Sequence, residues 1–113
     1  MEILGVDVGG SGIKGVPVDL EQEKYLGDRF RLDTPFPREP IAMVNTIAEV
    51  VKYWDWKGVV GVGFPTVIHK GKALEHGNLD KSWLGLQVDD MISQKIGLPV
   101  NVINDADAAG LAE

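Results

Sequence analysis

Apolar residues recur along this chain with two periods, and the switches between them mark the elements. Ile3, Leu4, Val6 and Val8 form a short apolar run, and Ile13, Val16 and Val18 alternate beyond a glycine-rich stretch. Residues 2–8 and 13–19 therefore read as two strands. Residues 25–33 alternate more loosely after the acidic turn at 19–24 and read as a third, solvent-facing strand. Residues 33–40 hold three prolines and form a connector, with Pro40 standing where a helix can begin. Ile41, Val44, Ile47, Ala48, Val51 and Trp54 fall at helical spacing, which predicts an amphipathic helix over 41–54. Trp54 and Trp56 are expected to cover the core at its end. Residues 58–64 predict a buried strand ending at Pro65, residues 66–74 a hairpin turning at 69–72, and residues 75–86 a loop. Val88, Met91, Ile92 and Ile96 form the inward face of a second helix over 88–96, which Gly97-Leu98-Pro99 ends. Val100–Ile103 reads as another buried strand, and residues 104–113 begin an Ala-rich helix.

This order predicts an α/β fold: a mixed sheet whose first three strands are antiparallel, with later strands joined to it by helices packed on the sheet. No repeat or low-complexity tract interrupts it. The last helix carries no cap or breaker, so a C-terminal continuation is expected in the active form.

Composition narrows the function classes. The chain has 113 residues, 44% of them hydrophobic and 25% charged, which fits one domain with a modest core. A net charge of −6 argues against a nucleic-acid binder, which would present a basic face. A small anionic ligand is still admissible, because a nest of N–H groups with one or two lysines acts locally against the overall field. The absence of cysteine removes disulfides and thiolate metal sites and is compatible with a reducing cytoplasm, the expected location. The first strand begins almost at once, so no secretory signal is expected, and no apolar run reaches membrane-spanning length.

Residues 5–15, Gly-Val-Asp-Val-Gly-Gly-Ser-Gly-Ile-Lys-Gly, carry the strongest chemical signal. A strand, a tight glycine turn and a second strand let backbone N–H groups converge on an anion. Gly9, Gly10 and Gly12 are expected to supply positive φ and let a phosphate approach unobstructed by Cβ. Asp7, a buried-looking carboxylate beside the turn, is placed to hold a hydrated Mg²⁺ that bridges to the phosphates. The nucleotide P-loop does not fit, because Lys14-Gly15-Val16 lacks its ending. The dinucleotide fingerprint does not fit either, because Pro17 and the alternation of 13–18 argue against a following helix. The alternative is a plain glycine hairpin with Asp7 in a turn network.

Three further segments hold candidate groups. Asn104 and Asp105 stand where a strand ends and a helix begins, the edge at which open α/β sheets bind ligands. There a carboxylate can act as general base towards a hydroxyl that the amide fixes, or Asn104 or Asp105 simply caps the helix. Residues 61–66, Gly-Val-Gly-Phe-Pro-Thr, either line a sugar pocket with backbone groups or leave the sheet through a proline turn. Residues 78–83, Asn-Leu-Asp-Lys-Ser-Trp, combine groups that bind sugar hydroxyls with an indole able to close a pocket wall, or form a polar loop anchored by one aromatic. His69 and His76 read as solvated loop residues rather than metal ligands.

Taken together, residues 7–15, 61–65 and 104–105 resemble the N-terminal lobe of the ROK family of sugar kinases, within the actin/hexokinase-like (ribonuclease H-like) fold. More narrowly, residues 9–15, 78–83 and 104–113 look like its polyphosphate glucokinase branch, which transfers a phosphoryl group from polyphosphate, or in some members ATP, to O6 of glucose. The resemblance covers nearly the whole chain, and it implies roles. Asp105 would be the base for the 6-hydroxyl; Asn104 and Asn78 would bind sugar hydroxyls; Gly63 and Pro65 would shape the pocket. Asp7 would sit at Mg²⁺ and the phosphates, while Gly9, Gly10, Ser11 and Gly12 with Lys14 would cradle the donor, and Lys81 would add a phosphate contact. Such kinases carry a second lobe with further sugar and donor residues, so this chain alone is expected to be inactive; they are often dimers, through surfaces mostly outside this segment. Two other readings remain. One is a non-catalytic ROK-type sugar sensor, though sensors usually begin with a DNA-binding helical segment. The other is a different acyl- or sugar-kinase of the same superfamily, against which residues 78–83 count.

Overall fold

The computed structural model describes residues 1–65, 68–74 and 81–104. Its elements run β1 (Glu2–Val8), β2 (Gly12–Asp19), β3 (Lys24–Tyr25), β4 (Phe30–Asp33), α1 (Pro40–Tyr53), β5 (Val60–Phe64), β6 (Ile68–His69), β7 (Lys72–Ala73), a 3₁₀ turn at Lys81–Trp83, α2 (Val88–Ile96) and β8 (Val100–Asn104). The predicted helix over 104–113 falls outside the described residues except for Asn104, which extends β8.

The main sheet has the order β3-β2-β1-β5-β8, and β4 also pairs with β2. β2 lies antiparallel to β1, β3 and β4, while β5 and β8 continue the sheet parallel to β1. Parallel neighbours need a long crossover. The β4–α1 segment supplies one between β1 and β5, and the segment containing α2 supplies the other. Leu4, Val6 and Val8 of β1 and Val60, Val62 and Phe64 of β5 are buried in one cluster with Met43, Ile47 and Val50 of α1 and Val88 and Ile92 of α2. Strand alternation then puts Gly5 and Asp7 on the opposite face. Asp7 is accordingly exposed, a correction to the buried carboxylate expected from its apolar neighbours.

The expected third strand over 25–33 is two short ones, and Pro17 is the reason. Its carbonyl accepts a hydrogen bond from the Leu26 N–H at 2.8 Å, but it has no N–H to return. The ladder breaks there and resumes at Phe30, opposite Gly15.

Pro40 opens α1 at its first turn, and Gly97, at φ 72°, ends α2 in the left-handed conformation that glycine adopts cheaply. Trp54 and Trp56 are half-buried against the core, as expected, and their indole N–H groups donate to the carbonyls of Gly15 and Val59, both at 2.9 Å. At Gly15 the sheet meets α1 so closely that an added Cβ would overlap Cγ1 of buried Val50. Gly15→Ala is therefore expected to destabilise the fold by about 1–3 kcal/mol through overpacking, read as a lower urea midpoint with an unchanged slope. Among the described residues no helix is long and apolar enough to cross a membrane.

Candidate active site

The parallel register gathers the predicted residues at one edge of the sheet. Asp7 pairs with Gly63, and Gly63 with Ile103; one step further, Phe64 pairs with Asn104. The C-terminal ends of β1, β5 and β8 thus lie side by side, with the glycine turn and Pro65 at the same edge. On the other side of β1, Asp7 pairs with Lys14, and Lys14 pairs with Arg31 of β4. Arg31, Lys14, Asp7 and Gly63 therefore form one row across four strands, with two cations beside a carboxylate. Among the described residues the Asp7 side chain makes no ion pair or hydrogen bond, so its carboxylate is not consumed by a structural partner.

The turn between β1 and β2 is closed by a hydrogen bond from the Gly9 N–H to the Gly12 carbonyl at 2.9 Å. None of Gly9, Gly10 or Gly12 has positive φ, which corrects that expectation. Space is what the turn requires. A Cβ on Gly12 would overlap the Arg31 guanidinium, and one on Gly9 would lie 3.0 Å from the Gly12 carbonyl oxygen. Gly10 and Ser11 are exposed at the tip, and Lys14 is half-buried behind it.

Of the segment 78–83, Lys81 is exposed in the 3₁₀ turn and Trp83 is fully buried. Trp83 packs edge-on against Phe64 with ring centroids 4.8 Å apart, and its indole N–H donates to the Arg38 carbonyl at 2.8 Å. Of the two roles open for this indole, the structure shows the anchor and not the pocket wall. Trp83 packs on the core side of Phe64, the residue between Gly63 and Pro65 at the end of β5. Asn78, Asp105 and the Asn104 side chain lie outside the described residues, as does His76; His69 is exposed as expected, though it stands in β6 rather than in a loop.

Among the described residues no three acidic, His or Cys side chains cluster as a metal site. Mg²⁺ does not require one, since it commonly binds through one or two carboxylates, waters and the substrate phosphates. The exposed, unpaired Asp7 beside the turn fits that donor set. A cavity of about 370 Å³ lies at the opposite edge of the sheet, lined by Val51, Trp56, Ile96 and Leu98 among others, and contains none of the predicted residues.

Three residues at the turn escaped the sequence reading. Thr34 Oγ1 donates to the Gly9 carbonyl at 2.7 Å, Arg38 Nε to the Gly10 carbonyl at 3.1 Å, and Arg31 Nη2 to the Ser11 carbonyl at 2.9 Å. The alternation of β4 held the signal for Arg31, which shares its register row with Lys14. Thr34 and Arg38 sit in the proline-rich connector, where no periodicity reports which way a side chain points.

The family model described as "ROK family" matches residues 3–113. The polyphosphate glucokinase of Mycobacterium tuberculosis is 50% identical over 111 residues, covering 97% of this chain and 42% of that protein. Among solved structures, the inorganic polyphosphate/ATP-glucomannokinase from Arthrobacter sp. strain KM superimposes with a TM-score of 0.94 at 44% identity, covering 99% of this chain and 47% of that one. A ROK family glucokinase from Streptomyces griseus, in complex with glucose and AMPPNP, gives 0.84 at 30% identity over 97% of this chain and 35% of that one. The chain spans less than half the length of each of these relatives.

Proposed function

The chain belongs to the ROK family, and on that premise we propose that it forms the N-terminal lobe of a two-lobed glucokinase that transfers a phosphoryl group from polyphosphate or ATP to O6 of glucose. The observation that carries this reading is the register row. It sets the ends of β1, β5 and β8 together, with Asp7 and the glycine turn on one side of Gly63 and the strand leading to Asp105 on the other. Donor and acceptor elements adjoin in that arrangement, as in-line transfer between them requires.

The roles follow the chemistry. Asn78 and Asn104 hold sugar hydroxyls, and the backbone at Gly63 and Pro65 shapes the floor beneath them. Asp105 accepts the proton of the 6-hydroxyl as O6 bonds to the terminal phosphorus and the bridging oxygen leaves with the shortened polyphosphate or ADP. The N–H groups of the turn, with Lys14, offset the charge on the donor oxygens, and Lys81 adds a contact at the phosphate end. Asp7 would hold Mg²⁺ through water, and the ion would neutralise phosphate charge.

The test is phosphoryl transfer by the complete two-lobed protein with glucose and MgCl₂, comparing polyphosphate with ATP. Glucose 6-phosphate from either donor supports the reading. Glucose binding without transfer from either donor refutes it and favours a sugar sensor. Residues 1–113 alone are expected to turn over at least about 10³-fold more slowly, because one wall of a cleft cannot position two substrates. Turnover by this fragment near that of the complete protein would refute the two-lobe assignment.

A further inference from the structure

The glycine turn is held at three successive carbonyls by bonds that share one logic. In the peptide joining residues 9 and 10, the carbonyl is bonded by the Thr34 hydroxyl at 2.7 Å. In the next, the Gly10 carbonyl is bonded by Arg38 Nε at 3.1 Å. In the third, the Ser11 carbonyl is bonded by Arg31 Nη2 at 2.9 Å and by the Thr34 N–H at 3.1 Å. A trans peptide is planar, and its N–H points opposite to its C=O. Fixing three carbonyls towards residues 31–38 therefore turns the N–H groups of Gly10, Ser11 and Gly12 to the other side. Among the described residues the N–H groups of Gly10 and Ser11 enter no backbone hydrogen bond. Arginine bonded to a carbonyl also polarises that peptide and makes its N–H a stronger donor.

We propose that Thr34, Arg31 and Arg38 are positioning residues that brace the glycine turn from behind, so that its N–H groups are preset for the phosphates of the donor. This deepens the kinase reading and rests on it for the identity of the ligand. The brace explains why glycine stands at 12: Arg31 fills the space a Cβ would take. Presetting donors matters because an anion then binds without the cost of ordering the loop.

Thr34→Val separates this role from charge, since it removes the hydroxyl and leaves both arginines and the side-chain shape. The experiment measures tripolyphosphate binding to the complete protein by calorimetry with MgCl₂ present, for wild type, Thr34→Val, Thr34→Ser and Arg38→Gln, together with KM for donor and for glucose. Thr34→Val should weaken tripolyphosphate binding about three- to tenfold, as expected for one lost positioning bond, and Thr34→Ser should restore it. Arg38→Gln should weaken binding by at least as much, and donor KM should rise in parallel while glucose KM stays within about twofold. Unchanged binding in Thr34→Val and Arg38→Gln would overturn the brace. So would a wild-type protein that binds no tripolyphosphate, or equal losses for donor and glucose together with a lower melting temperature. A wild type that binds tripolyphosphate but phosphorylates no glucose would refute the kinase reading alone, and the ratio of binding constants would still decide the brace.

Discussion

Asp105→Ala in the complete protein should lower kcat for glucose phosphorylation by about 10²–10⁴-fold while changing glucose KM far less. An alcohol is a poor nucleophile while it keeps its proton, so the carboxylate that removes it contributes in the transition state and little in the ground state. The register supports this placement of Asp105. Asn104 is the last residue of β8 and pairs with Phe64, so β8 ends at the edge where Gly63 and Asp7 lie one step back. The competing role is a cap on a following helix. A lost cap would cost about 1 kcal/mol of stability and leave turnover nearly intact. Asp105→Asn distinguishes the two, because asparagine caps as well as aspartate but cannot accept the proton. Parallel measurements of kcat and melting temperature decide between them: turnover within tenfold of wild type in Asp105→Asn would remove Asp105 from the chemistry.

The hydrophobic pattern made the core elements legible because each is amphipathic at its own period. The helix over 88–96 emerges with the boundaries its apolar spacing predicts, and β6–β7 turns where glycine permits positive φ at Gly71. Local pattern was silent where a neighbouring strand decided the outcome. Pro17 looked harmless inside an alternating run, yet it split the third strand because its missing N–H faces that neighbour. Asp7 looked buried because Val6 and Val8 are, and only the pleat sends it to the other face. The candidate site divides in the same way. Strand ends and glycines were readable as residue types in sequence. The bracing groups of Thr34 and Arg38 were not, because their roles depend on a turn more than twenty residues earlier in the chain. Trp83 had two chemically sound readings, and what settled it was the depth of its own burial against Phe64 of β5.

That depth gives the second large effect. Trp83→Ala should destabilise the fold by about 3–5 kcal/mol, the usual cost of emptying a fully buried aromatic site, and a domain has only about 5–15 kcal/mol in all. The ring is fully buried, meets Phe64 edge-on, and ties its N–H to the Arg38 carbonyl, so the loss combines packing with a broken hydrogen bond. Trp83→Phe keeps the aromatic contact and loses the hydrogen bond, and about 1–2 kcal/mol is expected. Urea unfolding followed by far-UV circular dichroism measures both. Glucose KM then separates support from contact. A residue acting from the core side should change stability in Trp83→Phe while glucose KM moves less than about threefold; a residue lining the sugar pocket should do the reverse. Since Arg38 receives the indole bond through its carbonyl and braces Gly10 through its guanidinium, Trp83→Phe should also loosen donor binding more than glucose binding. A glucose-specific defect at full stability would return Trp83 to the pocket wall.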